Sequence, residues 1–533
     1  MSTTRRGFLG TAALAGAATF VPRLSALDRL SPSSLADARQ GRRVFLHGVA
    51  SGDPQQHAVI LWTRVTPGAR RAGSAIPVTC EIAHDERFTR IAGRVMQHAT
   101  AARDFTIKID ALGLEPGATY YYRFSALGEA SITGRTRTLP RETSRVRLAV
   151  ASCANLPAGY FNVYARIAAR EDLDAVLHLG DYIYEYRNKT YGDGTAFGRI
   201  PMPDKECTTL EDYRTRHAQY KSDPDLQAAH ARHPWITVWD DHEFANNAWR
   251  GGAENHNPDE GEGPWEARRD AIIQSYYEWM PIRENHGARQ VQIYRTFGFG
   301  RLADLVMLDT RYVGRDKESP MREQIATIED PGRTVLGRAQ EQWLFNELTE
   351  SKNAGVTWQV LGQQIMFAHA VPDGTPATNT DTWDGYRPAR DRVIDFLMDS
   401  VTRNAVILTG DIHSSWAYDV AADPWSAGYD SRTGRGAVAV EFATPAVSSA
   451  SSMGAPERAV PLAQAFMRER PHLKWVEGVH RGYSVLDLQP KQIQSDWYFV
   501  PTVTERTNEE TFAKGFVSEA GAPHLVEVGT PAT

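Results

Sequence analysis

Cysteine is scarce: three in 533 residues, too few for a disulfide framework and an odd number that leaves at least one thiol free. No apolar run is long enough to span a bilayer. The best candidate, Phe8 to Val21, is short and rich in Gly and Ala. There is no long basic run, and 59 Lys and Arg against 65 Asp and Glu give a formal charge of −6. That balance argues against a nucleic-acid backbone as the main partner and against any scaffold role on nucleic acid. Short-period repeats and low-complexity tracts are missing as well. Apolar residues at 42% and charged residues at 23% exclude a disordered chain, a collagen-like repeat and a polytopic membrane protein. What remains is a folded chain of about two to four domains. Its 13 Trp and 20 Tyr suit an enzyme with aromatic-lined loops.

The N-terminus reads as an address. Arg5-Arg6 is followed by Gly7, then Phe8-Leu9, a Gly- and Ala-rich stretch and a small-residue end at Ser25-Ala26. This is the twin-arginine export pattern. Residues 1–26 are therefore expected to be a signal peptide recognised by the twin-arginine translocation machinery, giving a periplasmic or secreted protein without a stable transmembrane anchor.

Two grammars follow. From residue 43 to about residue 140 the pattern alternates with a period of two, as in Ala58-Val59-Ile60-Leu61-Trp62-Thr63 and Pro77-Val78-Thr79-Cys80-Glu81-Ile82. The stretch Leu114 to Phe124 resembles the tyrosine-corner segment of fibronectin type III sandwiches, which predicts an N-terminal β-sandwich. From Val146 onward, buried-looking strands alternate with helical stretches near 161–170, 340–350 and 390–400, which predicts an α/β layered core over residues 146–505. Residues 506–533 are expected to be a C-terminal tail. The polar stretches 187–212 and 251–266 are long enough to be functional surface loops.

Four strands of the α/β body end in residues that bind metals. They are Ser152-Cys153-Ala154-Asn155, Gly180-Asp181-Tyr182-Ile183-Tyr184, Asp240-Asp241-His242-Glu243 with Asn246-Asn247, and Gly410-Asp411-Ile412-His413. Sites in open α/β sheets form beyond the carboxyl ends of strands, so these four clusters are expected to converge. A thiolate, a phenolate and an imidazole from Cys153, Tyr184 and His413 suit ferric iron. Asp181 can bridge because a carboxylate has two oxygens, and Asp241, Asp411 and an Asn carbonyl offer the hard oxygens that calcium prefers. A metal cluster supplies a nucleophile and charge compensation for hydrolysis of a phosphate ester.

Gly180-Asp181-x-x-Tyr184 is similar to the metallophosphatase block of purple acid phosphatases, in which the Asp bridges two metals and the Tyr binds ferric iron. The whole constellation resembles the PhoD-type alkaline phosphatases, with Gly48-Val49-Ala50-Ser51-Gly52-Asp53-Pro54 and Val238-Trp239-Asp240-Asp241-His242-Glu243 adding to the likeness. That resemblance implies a fibronectin-like β-sandwich ahead of a metallophosphatase α/β sandwich. It also implies one Fe3+ with two Ca2+, and hydrolysis of phosphate monoesters and diesters by direct attack of a metal-bound hydroxide or oxo group. Two departures from purple acid phosphatases matter: Ser152-Cys153 stands where their first block has an Asp, and Asp411 replaces a His of their last block. Both favour iron plus calcium over a di-iron or iron–zinc pair.

Plain structural alternatives stand beside each assignment. Cys153 can be a small buried side chain, Tyr184 an aromatic wall, and Asp240 a helix cap or an outer support. His242 either stabilises the leaving oxygen or supports a ligand. Asn155 and Asn247 can be turn residues. Arg283 and Arg295 are expected as a phosphate clamp, the Asp309-Thr310-Arg311 strand end as an ion pair only, and Cys80 and Cys207 as free or paired. Two other functions compete with the phosphatase. One is a phospholipase D-like phosphodiesterase, favoured by Tyr191, Phe197, Met202 and Trp265 in the long loops. The other is an exported binding protein with a decayed core, which intact Asp181, Tyr184, Asp411 and His413 oppose.

Overall fold

Aliphatic and β-branched runs pair into three sheets in a computed structural model that describes residues 44–68, 73–284, 292–319, 324–399 and 404–533. The expected signal segment 1–26 lies outside the described residues. Among those described, the sheets have ten, seven and five strands. Four strands of the ten-stranded sheet run parallel: Val146–Ala151, Ala175–His178, Pro234–Thr237 and Val49–Gly52. All four are buried along their whole length, as expected for strands covered on both faces. The seven-stranded sheet has a matching parallel set, Ala303–Met307, Trp358–Gln363, Ala405–Thr409 and Ala437–Ala443.

The two large sheets face each other across one apolar core that takes Leu148, Val150 and Leu177 from the first sheet and Leu305, Val360, Leu408 and Phe442 from the second. Side chains of the two sheets meet at Gly362, beside its neighbouring strand. A Cβ on Gly362 would lie 2.6 Å from Met307 Sδ, with Leu179 Cδ2 at 3.5 Å. Helices Asn162–Ala169, Gly337–Asn353 and Arg387–Asp399 match the predicted helical stretches. No helix among the described residues is long and apolar enough to cross a membrane.

The N-terminal sandwich is present, with a tyrosine corner in which the Glu115 backbone N–H donates to Tyr120 Oη at 2.9 Å. It is not a free-standing module, however. Its strand Val49–Gly52 pairs antiparallel with Ala58–Arg64 and parallel with Pro234–Thr237, so one sandwich sheet continues into the α/β body. The C-terminal expectation is also corrected. Thr511–Glu519 and Ala522–Val528 are strands that extend the ten-stranded sheet, so the segment beyond residue 505 is part of the fold. Ala522–Val528 is the edge strand, and Thr511–Glu519 lies between it and Gln492–Val500.

Candidate metal centre

The four predicted strand ends converge. Ligand atoms of Cys153, Asp181 and His413 lie within 4.8 Å of one another, as do those of Asp181, Asp241 and His242, and those of Asp240, Asp241 and Asp411. Asp181 and Asp241 are each shared between two groups. The sheet edges achieve this with unusual backbone. Cys153, Asp181, Asn247, Asp411 and His413 all adopt positive φ between 51° and 62°, a conformation that costs non-glycine residues energy and clusters at functional sites. Gly180, at φ 102°, is obligatory. A Cβ there would come within 2.4 Å of the Asp240 backbone N, so only glycine lets the Asp181 turn lie against the Asp240 turn.

Glu243 locks those two turns together. Its carboxylate accepts from the backbone N–H groups of Asp181, Tyr182 and Asp240 at 3.0, 2.6 and 2.8 Å. Burial, followed by the Asp181 charge, still pushes its pKa up to about 8. Tyr184 Oη donates to Asp181 Oδ2 at 2.7 Å, lies 3.1 Å from His413 Nε2 and accepts from Ser449 Oγ at 2.7 Å. Tyr191 stacks on Tyr184 with centroids 5.8 Å apart and places its hydroxyl 3.0 Å from His413 Nδ1. The predicted loop aromatic Tyr191 is thus a wall of the centre. Burial and then the Asp181 carboxylate raise the Cys153 thiol and the Tyr184 phenol well above their usual pKa. A cation among them would reverse that preference.

His242 Nδ1 is 2.8 Å from Glu185 Oε2. Burial opposes its charge, but Asp241, Glu185 and Asp181 outweigh burial and raise its pKa well above the usual histidine value. Arg311 enters from the end of the strand Ala303–Met307. Fully buried, it bonds Asp240, reaches Asp381 Oδ1 at 2.5 Å and Asp411 Oδ1 at 2.6 Å, and lies 3.5 Å from Asp241 Oδ1. Arg315 also binds Asp381. Even so, Asp240 Oδ2 is buried without a hydrogen-bond partner among the described residues, a cost that a bound cation would remove. Sulfur, phenol and imidazole at one end, with hard carboxylate oxygens at the other, fit the expected mixture of a soft-tolerant and a hard cation.

The remaining candidates bond elsewhere or reach the cluster through the backbone. Asn155 donates its side-chain amide to the Tyr191 carbonyl and so anchors that loop. Asn247 contributes its backbone N–H to Asp241 Oδ2 at 2.7 Å while its side chain donates to Glu254 at 2.9 Å. Arg283 and Arg295 do not form the expected phosphate clamp. Arg295 holds Asp53 Oδ1 at 2.6 Å and the Thr237 carbonyl at 2.8 Å. Arg283 donates its backbone N–H to Asp53 Oδ2 at 2.7 Å and pairs with Asp110 at 2.5 Å. Both fasten the sandwich to the α/β body because Asp53 follows the shared strand. Cys80, Cys153 and Cys207 are all free and buried. Sequence reasoning missed Glu185, Asp381 and Ser449 as site residues and gave Glu243 no role of its own.

Comparison with known proteins gives the family. Residues 148–497 match the family model described as PhoD-like phosphatase, and residues 30–140 match that of the PhoD-like phosphatase N-terminal domain. The chain is 39% identical over 476 residues to alkaline phosphatase D of Bacillus subtilis (strain 168), covering 86% of this chain and 78% of that protein. A solved structure titled "Structure of PhoD" superposes with a TM-score of 0.81 at 36% identity, covering 92% of this chain and 93% of the other.

Proposed function

The chain belongs to the PhoD-like phosphatase family and is a phosphoric ester hydrolase, and on that premise we propose that its metals are one Fe3+ and two Ca2+. Cys153, Asp181, Tyr184 and His413 would hold the iron. Asp181, Asp241 and Asp411 would hold calcium, with Asp240 in contact or in support. The observation that carries this reading is the pair of shared carboxylates, Asp181 and Asp241, each common to two groups of ligand atoms within 4.8 Å. Bound metals supply Lewis-acid polarisation of the phosphoryl oxygens and a lowered pKa for water.

The chain's own residues do the rest. Glu243 fixes the two turns that carry Asp181 and Asp240, so the carboxylates are set before substrate arrives. Glu185 occupies one ring nitrogen of His242 and leaves the other to hand a proton to the leaving oxygen. Tyr191 walls the centre beside Tyr184 and excludes water from that side. Arg311 spreads its positive charge over Asp240, Asp381 and Asp411, which keeps these acids together in a low-dielectric site. Elemental analysis of active protein should find iron and calcium. Removing calcium should abolish activity reversibly, and active protein containing only zinc would refute the assignment.

Export completes the proposal. Arg5-Arg6 and the Gly- and Ala-rich segment after them support delivery to the periplasm or medium by the twin-arginine machinery, with residues 1–26 removed. Replacing both arginines with lysine should trap the precursor in the cytoplasm, and normal export of that variant would sink the assignment.

A further inference from the structure

The strand Ala437–Ala443 runs parallel to Ala405–Thr409, so its carboxyl end leaves the sheet beside the turn that carries Asp411 and His413. The chain that follows, Ala446-Val447-Ser448-Ser449-Ala450, is fastened to the Cys153 turn. Ser152 and Ala446 form a parallel bridge, and the Val447 N–H donates to the Ser152 carbonyl at 2.9 Å. Ser448 Oγ donates to the Asn155 carbonyl at 2.8 Å, and Arg481 Nε holds the Ser449 carbonyl at 2.9 Å. Ser449 itself is fully buried.

Two consecutive residues of this segment meet two of the candidate iron ligands. Ser449 Oγ lies 2.7 Å from Tyr184 Oη, and the Ala450 carbonyl lies 2.9 Å from His413 Nδ1. A carbonyl only accepts, so Nδ1 carries the proton. Nε2, 3.1 Å from Tyr184 Oη, then keeps a lone pair for a cation.

The serine hydroxyl has one proton and two acceptors in reach, Tyr184 Oη and the Cys153 carbonyl at 2.9 Å. Charge decides between them. The Cys153 carbonyl already accepts from the backbone N–H groups of Ser448 and Ser449 at 3.3 and 3.2 Å. Tyr184 must give up its proton to bind a cation, which ends the bond it donates to Asp181 Oδ2 and leaves its oxygen an acceptor only. A hydrogen bond to that charged oxygen is roughly twice as strong as one to a neutral carbonyl.

We propose that Ser449 is a positioning residue for Tyr184: its hydroxyl donates to the phenolate oxygen, holds it in place and draws electron density from it, which keeps the bound iron a stronger Lewis acid. The proposal rests on the reading that Tyr184 binds ferric iron as a phenolate. The phenolate-to-iron absorption band of the metal-loaded full chain tests it. Charge transfer removes an electron from the phenolate, and a donor that stabilises the anion raises the energy of that step. Ser449→Ala should therefore keep the band but move it to longer wavelength. It should also lower kcat about tenfold with KM unchanged, the scale of losing an outer partner of a metal ligand. Ser449→Thr, which retains the hydroxyl, should restore both. Ser448→Ala removes the neighbouring hydroxyl that bonds the Asn155 carbonyl and should leave the band in place. If Ser449→Ala fails to fold, wild-type holoenzyme exchanged into D2O takes its place. Deuterium on the serine hydroxyl should shift the phenolate C–O vibration in the resonance Raman spectrum.

A band present and unmoved in Ser449→Ala, or a vibration indifferent to D2O, would overturn the proposal while leaving Tyr184 on the iron. A band that Ser448→Ala moves as far as Ser449→Ala would reduce Ser449 to packing and overturn it as well. Iron-loaded wild-type protein without such a band would remove Tyr184 from the iron, and the proposal with it.

Discussion

Side chains from the one segment His178–Tyr184 enter two buried polar clusters built on opposite plans. Asp181 and Tyr184 join the acid-rich centre, where Arg311 is shared among carboxylates and Asp240 Oδ2 still lacks a hydrogen-bond partner among the described residues. His178 and Tyr182 join a cluster of histidines, tyrosines and one lysine. There Tyr164 Oη lies 2.8 Å from His178 Nε2, and Tyr182 Oη and Lys221 Nζ lie 2.8 and 2.9 Å from His230 Nε2. Lys221 has no ion pair among the described residues. Its ammonium group instead lies over the Trp62 and Tyr182 rings at 4.8 and 5.2 Å, and burial lowers its pKa well below the usual lysine value. The first cluster concentrates negative charge for cations to neutralise. The second removes charge and stabilises the sheet by itself. Residues two positions apart on one segment therefore belong to reactivity in one case and to folding in the other.

The sharpest way to break this comparison is a pair of hydroxyl deletions. Tyr184→Phe keeps the ring and its packing, and removes only the oxygen that bonds Asp181 and faces His413. Activity should fall more than about 100-fold, beyond the range seen for residues that merely support a metal ligand. Any visible absorption band from a phenolate on ferric iron should vanish while the protein still folds. Tyr182→Phe removes a hydroxyl whose partner is His230. It should leave colour and activity in place and cost about 1 kcal/mol of stability, the ordinary worth of one buried hydrogen bond. A coloured, fully active Tyr184→Phe protein would remove Tyr184 from the centre.

Much of this was legible in the chain before the structure. Strand ends at Cys153, Asp181, Asp241 and His413 could be read as convergent because the rule that places sites at carboxyl ends needs only strand positions. The same rule applied to Ala303–Met307 would have moved Arg311 from a plain ion pair into the site, where its partners Asp240, Asp381 and Asp411 lie up to 100 residues away. A single arginine has no motif, however, and its partners are set by tertiary contact alone. Arg283 and Arg295 illustrate the converse error. Their charge suggested phosphate, but Asp53 takes them. Alternation with a period of two identified the sandwich strands but not their neighbours, so the parallel pairing of Val49–Gly52 with Pro234–Thr237 was invisible. The positive φ values at Cys153, Asp181, Asp411 and His413 also leave no mark, because these residue types are chosen for their ligand atoms rather than for backbone ease.

The histidine-rich cluster offers the smaller but independent test, through acid. Burial, followed by the Lys221 charge, lowers the pKa of His178 and His217 to about 3, and His230 falls well below its usual value from the same two causes and the His178 charge. Elsewhere, burial lowers His233 and His472 to about 3 as well. Each folded-state value lies below that of an unfolded histidine, near 6.5. Unfolded chain therefore binds protons that the native protein refuses. The stability from keeping these rings neutral is full above about pH 6.5 and drains away as pH falls toward the folded values. Each pH unit in that window costs at most about 1.4 kcal/mol per histidine. Denaturant midpoints should thus fall steeply between pH 6.5 and 4, in metal-loaded and calcium-stripped protein alike. His217→Phe should flatten that slope, since the ring stacks on Trp279 with centroids 6.3 Å apart and its Nδ1 has no hydrogen-bond partner among the described residues. A midpoint that holds constant down to pH 4 would show that these rings are charged in the native protein and that the two clusters are not built on opposite plans.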